Sequence, residues 1–291
     1  MNPKLAPSQA GAAVADPWCA IGPARRAPPH GSEGIRSWIS SSRLPDFRST
    51  PLTLELGDEP HDATQAAVLA FWQSRRKQRS NLEDDGKSGG EARSGAHMKG
   101  VRDLVANIFI EAGMPSESII KEPYLPGYYR ARKRWDLAVR HKDSLVAALE
   151  FKSQVGSVAK NINNRFEEAL GTSTDTWVAQ RKNAVFGEVP PWLGYVFVLE
   201  ETAETEKPGR DLHNAEFPVD ETFKGMSPNQ RYQEMISRFV GDNVYQAGWF
   251  ITTQSHQDGS VTYAEPLSTA TGKSFRVAIQ GRINLVRSML D

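Results

Sequence analysis

The chain has almost no cysteine: Cys19 is the single thiol in 291 residues. One thiol excludes an intramolecular disulfide framework and argues against thiolate metal clusters. Net charge is lacking too. Its 35 basic residues are balanced by 35 acidic ones, which argues against a nonspecific binder of polyanions. Long hydrophobic runs are missing. The longest apolar stretch, around Leu193–Leu199, falls far short of the ~20 residues that span a bilayer. The opening Met1-Asn2-Pro3-Lys4 has none of the apolar core of a secretory signal. Internal repeats are absent. The histidines (30, 61, 97, 141, 213, 256) include no pair at metal-ligand spacing. These absences point to a soluble cytoplasmic protein with no membrane partner. Hydrophobic residues still make up 39% of the chain, enough to bury a core.

Charge and proline are unevenly distributed. Between Lys121 and Arg165 ten Lys/Arg face four acids, whereas beyond residue 200 nine basic residues face twelve acidic ones. A basic middle on a neutral chain suits either a solvated surface or a face that meets a polyanion. Nine of the eighteen prolines lie in the first 60 residues, where no amphipathic period survives. Residues 1–57 therefore read as a mostly disordered tail, and residues 58–291 as one folded domain.

Within that domain the apolar spacing predicts alternating elements. Asp62 and Gln65 resemble a capping box, opening a helix to about Gln78 that carries Val68, Leu69 and Trp72. Arg75, Arg76 and Lys77 would close it, favourably for the helix dipole. Ser80–Ala96 reads as a loop, and His97–Ala112 as a second helix, ended by Gly113. Two strands follow, Arg134–Arg140 and Leu145–Lys152, around a His141-Lys142-Asp143 turn. Asn164, with Glu167 three residues on, predicts a helix N-terminus and a helix to about Gly187. A buried strand over Trp192–Leu199, a polar loop over 201–227, a helix over Tyr232–Val240, a strand over Ala247–Thr253 and a helix over Phe275–Leu290 complete the order. It fits an α/β or α+β sandwich with a mixed sheet.

The hairpin gathers the chemistry. With the turn centred on residue 143, Trp135 faces Phe151, Leu137 faces Leu149 and Val139 faces Ala147, an apolar face for the core. The opposite face then pairs Asp136 with Glu150 and Ala138 with Ala148, and carries Lys152 as well. Two carboxylates that close repel unless a cation sits between them. Oxygen ligands, with the Phe151 carbonyl as a third, suit Mg²⁺. A metal-activated water beside a lysine is the equipment of phosphodiester hydrolysis, and the small Ala138 and Ala148 would leave room for a ligand. The hairpin alone does not choose between this and an ordinary solvent face with a surface salt bridge.

The run from Glu150 to Thr172 carries more information: Glu-Phe-Lys-Ser-Gln-Val-Gly, then Asn163-Asn164-Arg165, then Glu167-Glu168-Ala169-Leu170-Gly171-Thr172. It resembles the XhoI family of type II restriction endonucleases, within the PD-(D/E)xK nuclease superfamily. Pro126–Arg130, Trp135-Asp136-Leu137, Gly194–Glu200 and Arg231–Phe250 extend the likeness, which covers roughly residues 60–290. The resemblance implies a restriction-endonuclease-like core with a mixed central sheet flanked by helices. It implies a homodimer that cuts double-stranded DNA at CTCGAG after the first C with Mg²⁺, paired with a cognate DNA methyltransferase. The superfamily's acids fall on Asp136 and Glu150 and its lysine on Lys152, while Trp135 replaces the proline that names the motif. The stretch Ser157–Ile162 reads as a shortened loop.

The candidate site is thus Asp136, Glu150 and Lys152 for catalysis, with Asp136, Glu150 and the Phe151 carbonyl for metal. Ser153, Gln154, Asn163, Asn164 and Arg165 are candidates for DNA contact, Asn164 also for a helix cap. Arg130, Arg132 and Lys133 fit phosphate contact better than base reading. Glu111 is expected to be a solvated helix end. Two other functions remain open on the residues alone: a repair or junction-resolving nuclease of the same superfamily, and a DNA-binding module that has lost activity.

Overall fold

The computed structural model of the chain describes residues 60–85, 95–209 and 216–291. The tail expected over 1–57 and the Asp62 side chain lie outside the described residues. Helices α1 (Pro60–Asp85) and α2 (Lys99–Glu111) come first, and a short 3-10 turn at Ala96–Met98 leads into α2. Strands β1 (Ile119–Lys121), β2 (Tyr124–Pro126), β3 (Arg132–Arg134), β4 (Leu137–His141) and β5 (Ser144–Gln154) follow. Then come α3 (Val158–Asn183), β6 (Trp192–Glu200), α4 (Ala203–Glu206), α5 (Pro228–Gly241), β7 (Ala247–Ser255), β8 (Val261–Ala264) and α6 (Gly272–Leu290).

Six strands form one mixed sheet in the order β1-β4-β5-β6-β7-β8. β5, β6 and β7 run parallel, and the flanking pairs are antiparallel. Parallel strands need crossover connections, which α3 supplies between β5 and β6, and α4 with α5 between β6 and β7. Both faces of the sheet are covered, which is why β6 is apolar at nearly every position. On one face Leu137, Val139, Leu149, Phe151, Val196 and Val198 pack with α1, α2 and α6. On the other, Ala138, Ala148, Leu193, Tyr195 and Phe197 pack with α3 and α5.

The expected hairpin register holds over Leu137↔Leu149, Ala138↔Ala148 and Val139↔Ala147. The turn differs. Lys142 and Asp143 alone close it, with Lys142 at φ 50° and His141 paired to Ser144. A bulge then leaves Val146 unmatched, between Arg140↔Leu145 and Val139↔Ala147. The two-residue turn shifts the pairing by one and the bulge restores it.

Several expectations are corrected. Trp135 belongs to the α3/α5 core rather than sharing the face of Leu137 and Phe151, because the chain bends at Asp136 before β4 begins. Ala138 and Ala148 leave no room for a ligand: both are buried in that same core. Helix α3 starts at Val158, not Asn164, so 158–162 is helical and Asn164 lies in the helix interior. Its N-cap is Ser157, at φ 46° and with no capping side-chain bond, which is invisible to capping propensities. Helix α1 runs on to Asp85, through the start of the expected loop, so Arg75, Arg76 and Lys77 sit mid-helix and serve no terminal dipole. Gln65 donates to the Val261 carbonyl at 2.8 Å instead of capping α1. The 201–227 segment includes α4 and a 3-10 turn at Glu221–Phe223.

Candidate active site

β4 stops pairing with β5 at Leu137, and the chain before it turns away. The Glu122 and Trp135 amides bond the Asp136 and Pro123 carbonyls. Asp136 therefore stands just outside the ladder, and its Oδ2 accepts the Phe151 N–H at 2.8 Å. The N–H and C=O of one strand residue point to the same side, so the Phe151 carbonyl also faces Asp136.

Glu150 is 3% exposed. It sits opposite Tyr195 in the β5–β6 pairing, under an aromatic cluster in which the Tyr195 and Tyr245 rings lie 5.0 Å apart. An isolated carboxylate in such surroundings would protonate. Two ammoniums prevent this. Lys152 Nζ lies 2.8 Å from Oε1, and Lys133 Nζ bonds Oε2 while its charge rests over the Trp135 ring at 4.6 Å. Burial pushes the Glu150 carboxyl up, but Lys133 and then Lys152 outweigh it and hold it below the usual carboxylate range. Asp136 moves the other way: burial and the Glu150 charge raise it, and the Phe151 N–H offsets this only in part. For Lys152, Glu150 overcomes burial and strengthens the cation. For Lys133, burial prevails and weakens it. The ion pairs continue from Lys152 to Glu168 at 3.5 Å and from Glu168 to Arg165 at 2.9 Å.

Asp136, Phe151, Lys152, Arg165 and Glu168 line a cleft of about 600 Å³ at the carboxyl end of β5, whereas Glu150 and Lys133 do not reach its surface. Open α/β sheets bind ligands in such crevices. α3 supplies one wall, with Arg165 and Glu168. The other is built from α1 and the 3-10 turn, with Arg75 and His97. Ser153 is held by His97, whose Nε2 lies 2.8 Å from its Oγ. Burial first, then the Arg75 and Arg165 charges, lowers the His97 pKa to about 4, so the imidazole is neutral.

Not every candidate is free to meet DNA. Gln154 is buried, and its amide donates to the Gly156 carbonyl at 2.6 Å, holding the β5–α3 turn. Arg130 bonds the buried Asp175 at 2.7 Å, and Asp175 also accepts the Tyr128 and Tyr129 amides. It braces the β2–β3 connection. Lys133 is committed to Glu150. Arg132 is exposed and stacked over the Tyr124 ring at 4.5 Å. Asn163 and Asn164 project from the first half of α3 into solvent. Glu111 pairs with Arg276 at 2.8 Å, away from the acids.

Sequence reasoning passed over His97, Glu122 and the cleft role of Arg75. For His97 and Glu122 no local signal exists. For Arg75 one did: it follows Trp72 by three and Phe71 by four, on the stripe that α1 turns towards the core.

The donor set fits a hard divalent cation. Asp136 and the Phe151 carbonyl face one another, the Glu150 charge is near enough to raise the Asp136 pKa, and Mg²⁺ uses few protein oxygens and keeps waters. Among the described residues no group of three or more His, Cys, Asp or Glu could hold a metal.

The profile of the family described as restriction endonuclease XhoI matches residues 76–265. The type II restriction enzyme BstVI of Geobacillus stearothermophilus is 34% identical over 185 residues, 61% of this chain and 82% of that one. The type II restriction enzyme AbrI of Azospirillum brasilense is 42% identical over 164 residues, 54% and 73% of the respective chains. The type II restriction enzyme XhoI of Xanthomonas vasicola is 36% identical over 182 residues, 60% and 72%. No solved structure matches.

Proposed function

This chain belongs to the XhoI family of restriction endonucleases, and on that premise we propose that it hydrolyses both strands of duplex DNA at CTCGAG, after the first C, with Mg²⁺ as cofactor. The fold is of the restriction-endonuclease kind, and the chain is a type II site-specific deoxyribonuclease. The observation that carries the reading is the buried Glu150 carboxylate, kept ionised by Lys152 and Lys133, next to Asp136 and Lys152, which line the cleft. No described helix is long and apolar enough to cross a membrane. Action in the cytoplasm as a homodimer, alongside a DNA methyltransferase that protects the same sequence, completes the proposal.

Asp136, Glu150 and the Phe151 carbonyl would hold the metal. Bound there, Mg²⁺ supplies a water of lowered pKa and positive charge at the phosphate. The protein's own groups do the rest. Lys152 is fixed by Glu150 and Glu168, so its ammonium is already oriented when the phosphate arrives and stabilises the negative charge that grows there. Asp136 is fixed by the Phe151 amide, which orients its free oxygen without further rearrangement. Ser153, steadied by His97, is placed to donate to the backbone next to the cut.

Digestion of a plasmid of known sequence in Mg²⁺, followed by sequencing of the ends, tests this directly. The expected products carry 5′ overhangs reading TCGA. Glu150→Ala should stop cleavage while DNA binding in Ca²⁺ or EDTA persists, since a charge that repels phosphate is removed. Ends at another sequence, preference for branched DNA, or near-normal cutting by folded Glu150→Ala would overturn it.

A further inference from the structure

The cations that line the cleft are nearly all spoken for. Arg134 pairs with Glu122, Arg165 with Glu168, and Lys152 with Glu150 and Glu168. Arg75 is different: among the described residues it makes no ion pair or side-chain hydrogen bond. Glu200 is near enough to act on it electrostatically, but that carboxylate is engaged by the Gly156 N–H at 2.7 Å. Arg75 is half-buried on α1, and among the described residues no ion pair or hydrogen bond offsets its desolvation, which the Glu200 charge counters only in part. The Arg165 Nε on the opposite wall is likewise buried without a hydrogen-bond partner. Between the two walls lies the His97–Ser153 pair, whose imidazole feels both arginines.

We propose that Arg75 of α1, with Arg165 of α3 and the Ser153 hydroxyl, forms a second phosphate-binding subsite, which grips a phosphate of the duplex other than the one being cut. It rests on the restriction reading and deepens it. Guanidinium forks match phosphate oxygens bidentately, and a hydroxyl adds a neutral donor. A base edge would call for mixed donors and acceptors, whereas Arg75 offers only donors, and Arg165 keeps donors beyond the one it gives to Glu168. Arg79, one turn further on the same side of α1, continues the charge away from the cleft, along the path a backbone would follow. His97 is a positioning residue: wholly within the wall, it acts through Ser153. The same arginines disfavour a second cation at the imidazole.

The test measures binding of the full chain to a CTCGAG duplex in Ca²⁺ across a KCl series. Arg75→Ala should weaken binding about tenfold. Its plot of log affinity against log salt should be shallower by about 0.9, the loss of one phosphate contact. A scrambled duplex should lose as much, because no base is read. Arg75→Lys should keep the slope, and Arg75→Gln, which preserves the stem packed near Trp72, should behave as Arg75→Ala. A scan of single methylphosphonates should then find one position, away from the scissile phosphate, that weakens the wild type and leaves Arg75→Ala unaffected. An unchanged slope in folded Arg75→Ala and Arg75→Gln proteins would overturn the subsite and leave the restriction reading standing. Wild type that shows no salt-dependent affinity for any duplex would overturn both.

Discussion

At the scale of the residue, the centre of the site is one carboxylate shared by two lysines. Glu150 without a partner would be an uncompensated buried charge, costing about 3–5 kcal/mol when a buried pair is broken. Lys152 and Lys133 meet its two oxygens; on the proposed reading a metal ion would need the same oxygens, so Lys133 would compete with it. Lys133→Met should destabilise the metal-free protein by about 2 kcal/mol or more, with Lys152 still in place. Ca²⁺ should then raise the melting temperature of the variant further than that of the wild type. Equal gains would show that Lys133 does not compete. Lys152→Ala should abolish cleavage and weaken DNA binding, since it removes a positive charge from the phosphate path. Unimpaired binding would place Lys152 away from the DNA.

His97 supplies the residue-scale pH effect. Its folded pKa of about 4 lies below the ordinary value of 6.5. Between those values the unfolded chain takes up a proton that the fold refuses. The stability tied to neutral His97 is therefore complete above pH 6.5 and is lost as pH falls towards 4. At ~1.4 kcal/mol per pKa unit the whole effect is about 3 kcal/mol, of which about 2 falls between pH 7 and pH 5. Urea titrations at those two pH values should show this extra acid sensitivity in the wild type and not in His97→Gln. Parallel losses in both proteins would remove His97 from the acid response.

At the scale of the element, the β2–β3 connection depends on one buried acid. Asp175 of α3 accepts the amides of Tyr128 and Tyr129 and the Arg130 guanidinium. A Cβ on Gly127 would strike that carboxylate, so glycine is required for the close approach. Charged hydrogen bonds contribute about 1.5–3 kcal/mol each and are not additive. Asp175→Ala should cost about 3 kcal/mol and open the chain to chymotrypsin after Tyr128 or Tyr129. An unchanged digestion pattern would show that the loop holds itself.

The same scale explains what could be read in advance. The alternation in 137–139 and 147–149 fixed which residues pair, because one slip would have put Leu137 and Leu149 on the wrong face. The bulge at Val146 left no mark, since Leu145, Val146 and Ala147 are all apolar and show no break in pattern. Asn164 and Glu167 imitate a cap, yet α3 begins six residues earlier behind Ser157 and Gly156, both at positive φ. The short strands β1, β2 and β3 were missed because three residues are too few to show an alternating pattern. That Asp136, Glu150 and Lys152 lie close together was legible from the hairpin; the roles given to them rest on the family resemblance. Lys133 at Glu150, and His97 and Arg75 in the far wall, were not, because tertiary folding brings them there from other elements.

At the scale of the whole molecule, a neutral chain concentrates its function in a basic middle. The excess between Lys121 and Arg165 falls on β2 to β5 and the start of α3, the elements around the cleft. Much of that charge is internally paired, so binding depends on a few free cations rather than on net charge. The palindrome adds a constraint. On the proposed reading, CTCGAG has two scissile phosphates on opposite strands, related by a two-fold axis, and the candidate cleft of one protomer would address one strand. A second protomer related by the same axis presents the second cleft in the same way. Light scattering of the complex in Ca²⁺ should therefore give two protomers per duplex. Dimers that combine a wild-type chain with a Glu150→Ala chain should nick a single strand of each site, because each cleft works on its own phosphate. A complex of one protomer per duplex that cuts both strands, or double-strand cleavage by the mixed dimer in one binding event, would show that a single cleft serves both strands in turn.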